Sequence, residues 1–158
     1  MIRPARPEDL QEILSVYATA RAFMAAHGNP TQWGNTYPAR ELLEEDIRLG
    51  QLYVDEWEGE IDGVFAYIPG EDPTYQIIDR AWLSDTPYAA IHRVAGSGKR
   101  SGMLGRCLSY CRQRTPHIRI DTHPDNKVMQ HLLTKAGFTY CGIIWVEDGS
   151  IRWADEML

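Results

Sequence analysis

Three glycines fall within seven residues at Gly96-Ser97-Gly98-Lys99-Arg100-Ser101-Gly102, between a strand-like run ending at Ala95 and a helix-like run that follows. A strand that passes into a helix through so permissive a loop restricts the chain to folds in which strands and helices alternate. Such a loop presents several unpaired backbone N–H groups at the opening of a helix, where the peptide dipoles add positive potential. Its natural guest is a phosphate, with Lys99 and Arg100 supplying compensating charge at the rim. A flexible connection is the plainer reading, and glycine spacing alone does not separate the two.

The flanking patterns fill in the order of elements. Ile2 to Arg6 alternates briefly, as a first strand does. Leu10, Ile13, Leu14, Tyr17, Phe23 and Met24 recur at helical spacing, opened by Pro7-Glu8-Asp9 and stopped by Gly28 and Asn29-Pro30. A second helix spans Pro38 to Leu49. Strands at Leu52 to Trp57 and Ile61 to Ile68 pair antiparallel through the turn Glu58-Gly59-Glu60. Pro69 to Pro87 holds three prolines and Trp82 and has no assignable period. Ala89 to Ala95 is the next strand, and Gly102 to Arg114 is a helix with Met103, Leu104, Cys107, Leu108 and Cys111 on its apolar face. That helix is long enough to return the chain parallel to its neighbour at Ile118 to Thr122, a βαβ unit. Pro124-Asp125-Asn126 opens a last helix with Val128, Met129, Leu132, Leu133 and Ala136 inward and Gly137 at its end. Phe138 to Val146 and Ser150 to Met157 form a closing hairpin, for which Asp148-Gly149 predicts a two-residue turn.

The 158 residues suit one domain, 1–158, of class α/β. A net charge of −6 without a long basic run argues against nucleic acid as a partner. No apolar run approaches bilayer length, and the start of the chain has prolines and charges in place of a signal-peptide core. The expectation is a cytoplasmic protein without a membrane partner, with a homodimer as the commonest assembly. Cys107, Cys111 and Cys141 are odd in number and lack metal-site spacing, so they read as free thiols and no metal is expected. The loop Thr31 to Tyr37 carries Trp33 and Tyr37, which either line a substrate pocket or cap the core.

This order of elements, the glycine loop and the segment from His123-Pro124-Asp125-Asn126 to Ala136-Gly137-Phe138 resemble the GNAT superfamily of N-acetyltransferases over nearly the whole chain. The resemblance implies a single-domain GNAT-like fold with a mixed, mostly antiparallel sheet, a parallel splayed strand pair and helices on both faces. It also implies acetyl-CoA as cosubstrate. The family's loop reads Arg or Gln, two variable residues, Gly, one variable residue, then Gly or Ala, and its amides hold the pyrophosphate. Lys99-Arg100-Ser101-Gly102-Met103-Leu104 is the nearest match and departs at Lys99 and at Leu104. Gly98 lies at its edge. By the same resemblance Arg93, Val94 and Ala95 offer backbone hydrogen bonds to pantetheine, and Asn126 contacts that arm or shapes the thioester site. Plain N-capping is the other role open to Asn126. Many members place a Tyr four residues before the Gly of Gly-Phe to protonate the leaving thiolate; this chain has Leu133, which leaves a water, Tyr140 or a histidine as the proton source, or a thiolate that departs without one.

Acetyl transfer to an amine needs a neutral nitrogen, and most alkyl amines are protonated at neutral pH. Histidine, with an ordinary pKa of roughly 6.5, suits the base. His92 is the first candidate, beside the cofactor-contacting segment; Asp121 on the adjacent strand would orient it, and His123 is the alternative. A His held structurally by a carboxylate is the competing reading. The acceptor is then a primary amine of a small molecule or peptide. A nucleotide hydrolase is disfavoured because Gly98-Lys99 is followed by Arg100 in place of Ser or Thr. A non-catalytic acyl-CoA-binding sensor or protein-interaction module on the same fold is the remaining alternative.

Overall fold

In the computed structural model, which describes residues 1–158, the alternating patterns become one seven-stranded sheet ordered β1-β2-β3-β4-β5-β7-β6. The chain runs β1 (Ile2–Pro4), α1 (Leu10–Ala26), α2 (Arg40–Arg48), β2 (Leu52–Trp57), β3 (Glu60–Pro69), β4 (Ala89–Gly96), α3 (Met103–Arg112), β5 (Ile118–Thr122), α4 (Lys127–Ala136), β6 (Thr139–Trp145) and β7 (Ile151–Met157). Short 3-10 turns occur at Pro7–Asp9 and Pro73–Tyr75. Every neighbouring pair is antiparallel except β4 and β5, the two strands that α3 connects.

Successive strand residues point to opposite faces, so β3 supplies two cores. Phe65 and Tyr67 pack with Ile91, Ile118 and Ile120 under α3 and Leu133 of α4. Val64 and Ala66 pack with Ile13, Tyr17 and Leu43 of α1 and α2. Cys107 and Cys111 are buried among the first set and Cys141 is also buried, all three as free thiols. Burial pushes the Cys107 thiol well up and the Cys141 thiol to about 11, the latter with help from Glu156.

The segment without a readable period does what a helix does elsewhere. Tyr75 and Tyr88, with Ile78 and Trp82 against them, cover Ala90, Ile144 and Ala154 on the face that α1 and α2 leave bare. The Trp82 indole donates to Tyr75 O at 2.8 Å, and the Asp79 N–H donates to Ile143 O at 3.0 Å, pinning the segment to the β6 edge.

Three local expectations are corrected. Of the residues expected inward on α4, only Leu133 is buried and Met129 partly so; Val128, Leu132 and Ala136 are exposed, because the helix meets the sheet along a single (i, i+4) row. Phe23 lies half-exposed, stacked on His27. The closing hairpin turns over Glu147, Asp148 and Gly149, with Val146 N–H donating to Ser150 O and Gly149 at φ +83°, so the loop has one residue more than expected.

Asp155 on β7 is buried without a side-chain partner, and burial alone pushes its carboxyl up to about 6. The folded state then binds this proton more tightly than the unfolded chain, so the contribution to stability is present at low pH and is lost as pH rises through about 6. Asp155→Asn is expected to stabilise the protein by about 1–3 kcal/mol at pH 8 and by almost nothing at pH 4. Thermal melts at the two pH values check this; an equal gain at both would assign the effect to packing.

Candidate active site

The parallel strands β4 and β5 pair only through Ala89 with Ile118 and Ala90 with Arg119. Beyond those two pairs the ladder stops and a gap opens at the carboxyl ends of both strands, the edge at which ligands bind in sheets of this kind. A bulge sits on the β4 side. Ala66 pairs with His92 and Val64 with Ala95, so Arg93 and Val94 together stand opposite Phe65. Arg93 has φ +54°, a conformation that costs a non-glycine residue about 1–2 kcal/mol. Tertiary contacts hold it there: Tyr17 Oη donates to Arg93 O at 2.7 Å, and the Arg93 guanidinium meets buried Asp46 of α2 at 2.9 Å. Val94 packs against the α3 core, and Ala95 is buried in the other.

At the end of β4 the chain turns through Gly98 (φ +83°) and Gly102 (φ +85°) into α3. Only Lys99 N–H in this stretch is occupied, by Ser97 Oγ at 3.2 Å; the N–H groups of Arg100 through Gly105 donate to no other group of the chain. Gly102 is the N-cap and gives no side-chain capping bond. The start of α3 is therefore open to a ligand. Met103 and Leu104 anchor it with buried side chains. The rim charge differs from expectation. Arg100 is paired with Asp55 and Asp62, each at 3.0 Å, and Lys99 forms an exposed pair with Glu60 at 2.7 Å, so the loop's cations are already neutralised by acids of β2 and β3.

Helix α4 opens on the other side of the gap and is capped. Asn126 Oδ1 accepts from Met129 N–H at 3.1 Å, while its Nδ2 donates to Gln32 Oε1 at 3.1 Å. Gln32 also accepts from Asn29 at 2.8 Å, and Thr31 Oγ1 lies 3.5 Å from His123 Nε2, so the α1–α2 loop reaches across to the β5–α4 loop. That loop carries Trp33, edge-on to Tyr17, and the exposed Tyr37, 6.1 Å from Trp33 and 3.4 Å from the Arg93 guanidinium. Trp33 thus packs on the core and also joins the aromatic pair at the rim.

His92 and Asp121 come together across the gap, with Nδ1 3.8 Å from Asp121 Oδ2. The hydrogen bond that orients the ring is elsewhere: His92 Nε2 lies 2.7 Å from Asp72 Oδ2. Asp72 Oδ1 accepts from Thr74 N–H at 2.9 Å and from Thr74 Oγ1 at 2.7 Å. Burial would raise the Asp72 carboxyl, but the bonds from His92 and Thr74 outweigh it and hold it down to about 2. Asp121 accepts from Tyr75 Oη at 2.6 Å, and burial with this neighbour pushes the Tyr75 phenol well above its ordinary range. His123 is held otherwise: its Nδ1 accepts from Asp125 N–H at 3.0 Å, and burial with nearby Arg152 lowers its pKa. No hydrogen bond joins it to His92. Asp72 and Tyr75 were missed in the sequence because they lie in the stretch without periodicity, although Asp72-Pro73 followed by Thr74 is a helix-start signal.

A split parallel pair, a bulged strand and an uncapped helix start thus lie side by side at one edge of the sheet. One solved structure, a GNAT-family acetyltransferase from Streptococcus agalactiae 2603, is 32% identical over 100% of this chain and 94% of its own, with a TM-score of 0.87. A chain from Staphylococcus aureus Mu50 is 27% identical over 99% and 97%, with a TM-score of 0.71. A GNAT-family acetyltransferase from Listeria monocytogenes 4b F2365 shares the fold at 21% identity, covering 99% and 94% with a TM-score of 0.68. No family model matches the chain, and no curated protein does. On the 32% identity over its whole length, the chain belongs to the GNAT family of acetyltransferases. No helix in it is long and apolar enough to cross a membrane.

Proposed function

We propose that this chain transfers the acetyl group of acetyl-CoA to a primary amine of a small molecule or peptide, as one catalytic domain spanning residues 1–158. One observation carries the reading: unpartnered amides from Arg100 through Gly105 at an uncapped helix start, beside strands that part after two pairs. A diphosphate fits such a row of donors, and acetyl-CoA brings the activated acetyl group together with a thiolate leaving group. The backbone of Arg93, Val94 and Ala95 meets the pantetheine arm from one side of the gap and Asn126 from the other.

His92 is the base. Its Nε2–H is held by Asp72, which leaves the Nδ1 lone pair facing the gap and Asp121. Asp121 attracts the incoming ammonium and stabilises the imidazolium that forms when Nδ1 takes the amine proton. Leu133 is fully buried, so the usual position of the acid holds no proton donor and the thiolate departs without one from that place. Tyr140 does not replace it, since β7 separates its strand from β5. The carboxylates of Asp72 and Asp121 at His92, together with the aromatic pair Trp33 and Tyr37 on the neighbouring loop, favour a cationic amine as acceptor.

The test has two readings. Calorimetry with CoA is expected to show binding, and acetyl-CoA mixed with polyamines, amino acids, aminoglycosides and N-terminal peptides to release thiol with at least one of them. Binding without thiol release across the panel transfers the reading to an acyl-CoA sensor or interaction module. No binding removes both.

A further inference from the structure

The β2–β3 hairpin brings two aspartates together directly behind the loop between β4 and α3. Asp55 and Asp62 have side chains only 2% and 4% exposed. Each meets the same two guanidinium groups. Arg100 donates through Nε to Asp62 and through Nη2 to Asp55, both at 3.0 Å. Arg106 donates through Nε to Asp55 at 2.7 Å and through Nη2 to Asp62 at 3.1 Å. Two buried carboxylates and two guanidinium groups thus satisfy one another, the arrangement in which buried charge is tolerated. The Met1 ammonium adds a contact to Asp55 at 3.2 Å.

The same four residues tie down the loop at three points. Asp62 O accepts from Ser97 N–H, and Asp62 Oδ1 from Ser97 Oγ, both at 2.8 Å. Arg100 is drawn back onto the pair by its own side chain. Arg106 Nη1 donates to Ser101 O at 2.6 Å and passes so close that a Cβ on Gly102 would lie 3.2 Å from it. A loop with two glycines at positive φ has many conformations when free, and ordering it on binding would weaken affinity. Here its carbonyl and side-chain groups are bonded backwards while the N–H groups from Arg100 onward stay unpartnered.

We propose that Asp55 and Asp62 are positioning residues for the cosubstrate: through Arg100 and Arg106 they hold the loop in its diphosphate-binding shape. Recognition then falls to backbone amides in a setting of balanced charge, and the arginines act as braces for the loop. This inference rests on the acetyl-CoA reading above, and its test separates the two. Calorimetric affinities for CoA and for pantetheine, which lacks the diphosphate and nucleotide, are compared in the native protein and in Asp62→Asn, with thermal melts to confirm folding. The native protein is expected to favour CoA strongly. Asp62→Asn is expected to weaken CoA binding at least 10-fold and to change pantetheine binding less than twofold. Should Asp62→Asn not fold, Arg106→Gln, whose side chain is 28% exposed, carries the same comparison with the same expected result. A folded variant that keeps the native preference for CoA overturns the positioning role. A native protein that binds both compounds equally well overturns the diphosphate reading itself.

Discussion

Replacing His92 by Gln is expected to lower kcat/KM by about 10²–10⁴-fold near neutral pH and to move the rising limb of its pH profile up to the range in which the free amine itself loses its proton. The geometry allows a sharper comparison at Asp72. Thr74 directs two hydrogen bonds at Asp72 Oδ1, leaving Oδ2 for His92 Nε2. In Asp72→Asn the Thr74 donors keep the side-chain oxygen where Oδ1 was, so the amide nitrogen faces His92. A donor there makes Nε2 the acceptor and shifts the ring proton to Nδ1, the atom that must accept one from substrate. Asp72→Asn is therefore expected to be more damaging than Asp72→Ala, by roughly tenfold or more, since a wrong tautomer is worse than a loosely held ring. Steady-state rates from pH 5 to 9 on the three variants decide. A rising limb that keeps its native position in His92→Gln would place the base elsewhere, and equal losses in both Asp72 variants would reduce Asp72 to a structural contact.

The largest loss of stability is expected at Glu156. This carboxylate on β7 is fully buried and joins elements distant in sequence. His117 Nε2 is hydrogen-bonded to it, Leu83 N–H donates to it at 2.9 Å, and Arg119 Nε lies 3.8 Å away. Glu156→Ala leaves a backbone N–H and an imidazole without their acceptor, and a guanidinium without its counter-ion, in the interior. Removing one partner of a buried charged set costs about 3–5 kcal/mol, equivalent to a fall in Tm on the order of 10 °C for a chain of this size. Glu156→Gln preserves the shape and one acceptor oxygen, and should lose about half as much. Urea unfolding that shows a lower midpoint at unchanged slope checks the expectation. A loss in Glu156→Ala below about 1 kcal/mol would mean that water or a shifted side chain replaces the acceptor.

What the sequence made legible was local chemistry. The glycines of the β4–α3 loop, the N-cap at Asn126 and the Gly137 that ends α4 each declare their backbone role from residue type and spacing. The parallel β4–β5 pair followed from the length of the helix between them. Asp72 was hidden because its meaning depends on a partner twenty residues away, in a stretch whose only order is tertiary. The pairing of Arg100 with Asp55 and Asp62 was hidden for a related reason. A basic residue in a glycine loop reads as a ligand for phosphate until the neighbouring hairpin, 38 and 45 residues earlier, is seen to supply its counter-ions. Val128 and Leu132 show the converse, an apolar pattern wider than the surface available to receive it.

All three sulfhydryl groups lie inside the packed protein, and those of Cys107 and Cys141 are held in the protonated, unreactive form. In a test of the proposed reaction, a thiol-trapping dye would therefore read any CoA set free against a silent protein background. Colour that develops in the absence of any donor measures how often the fold opens.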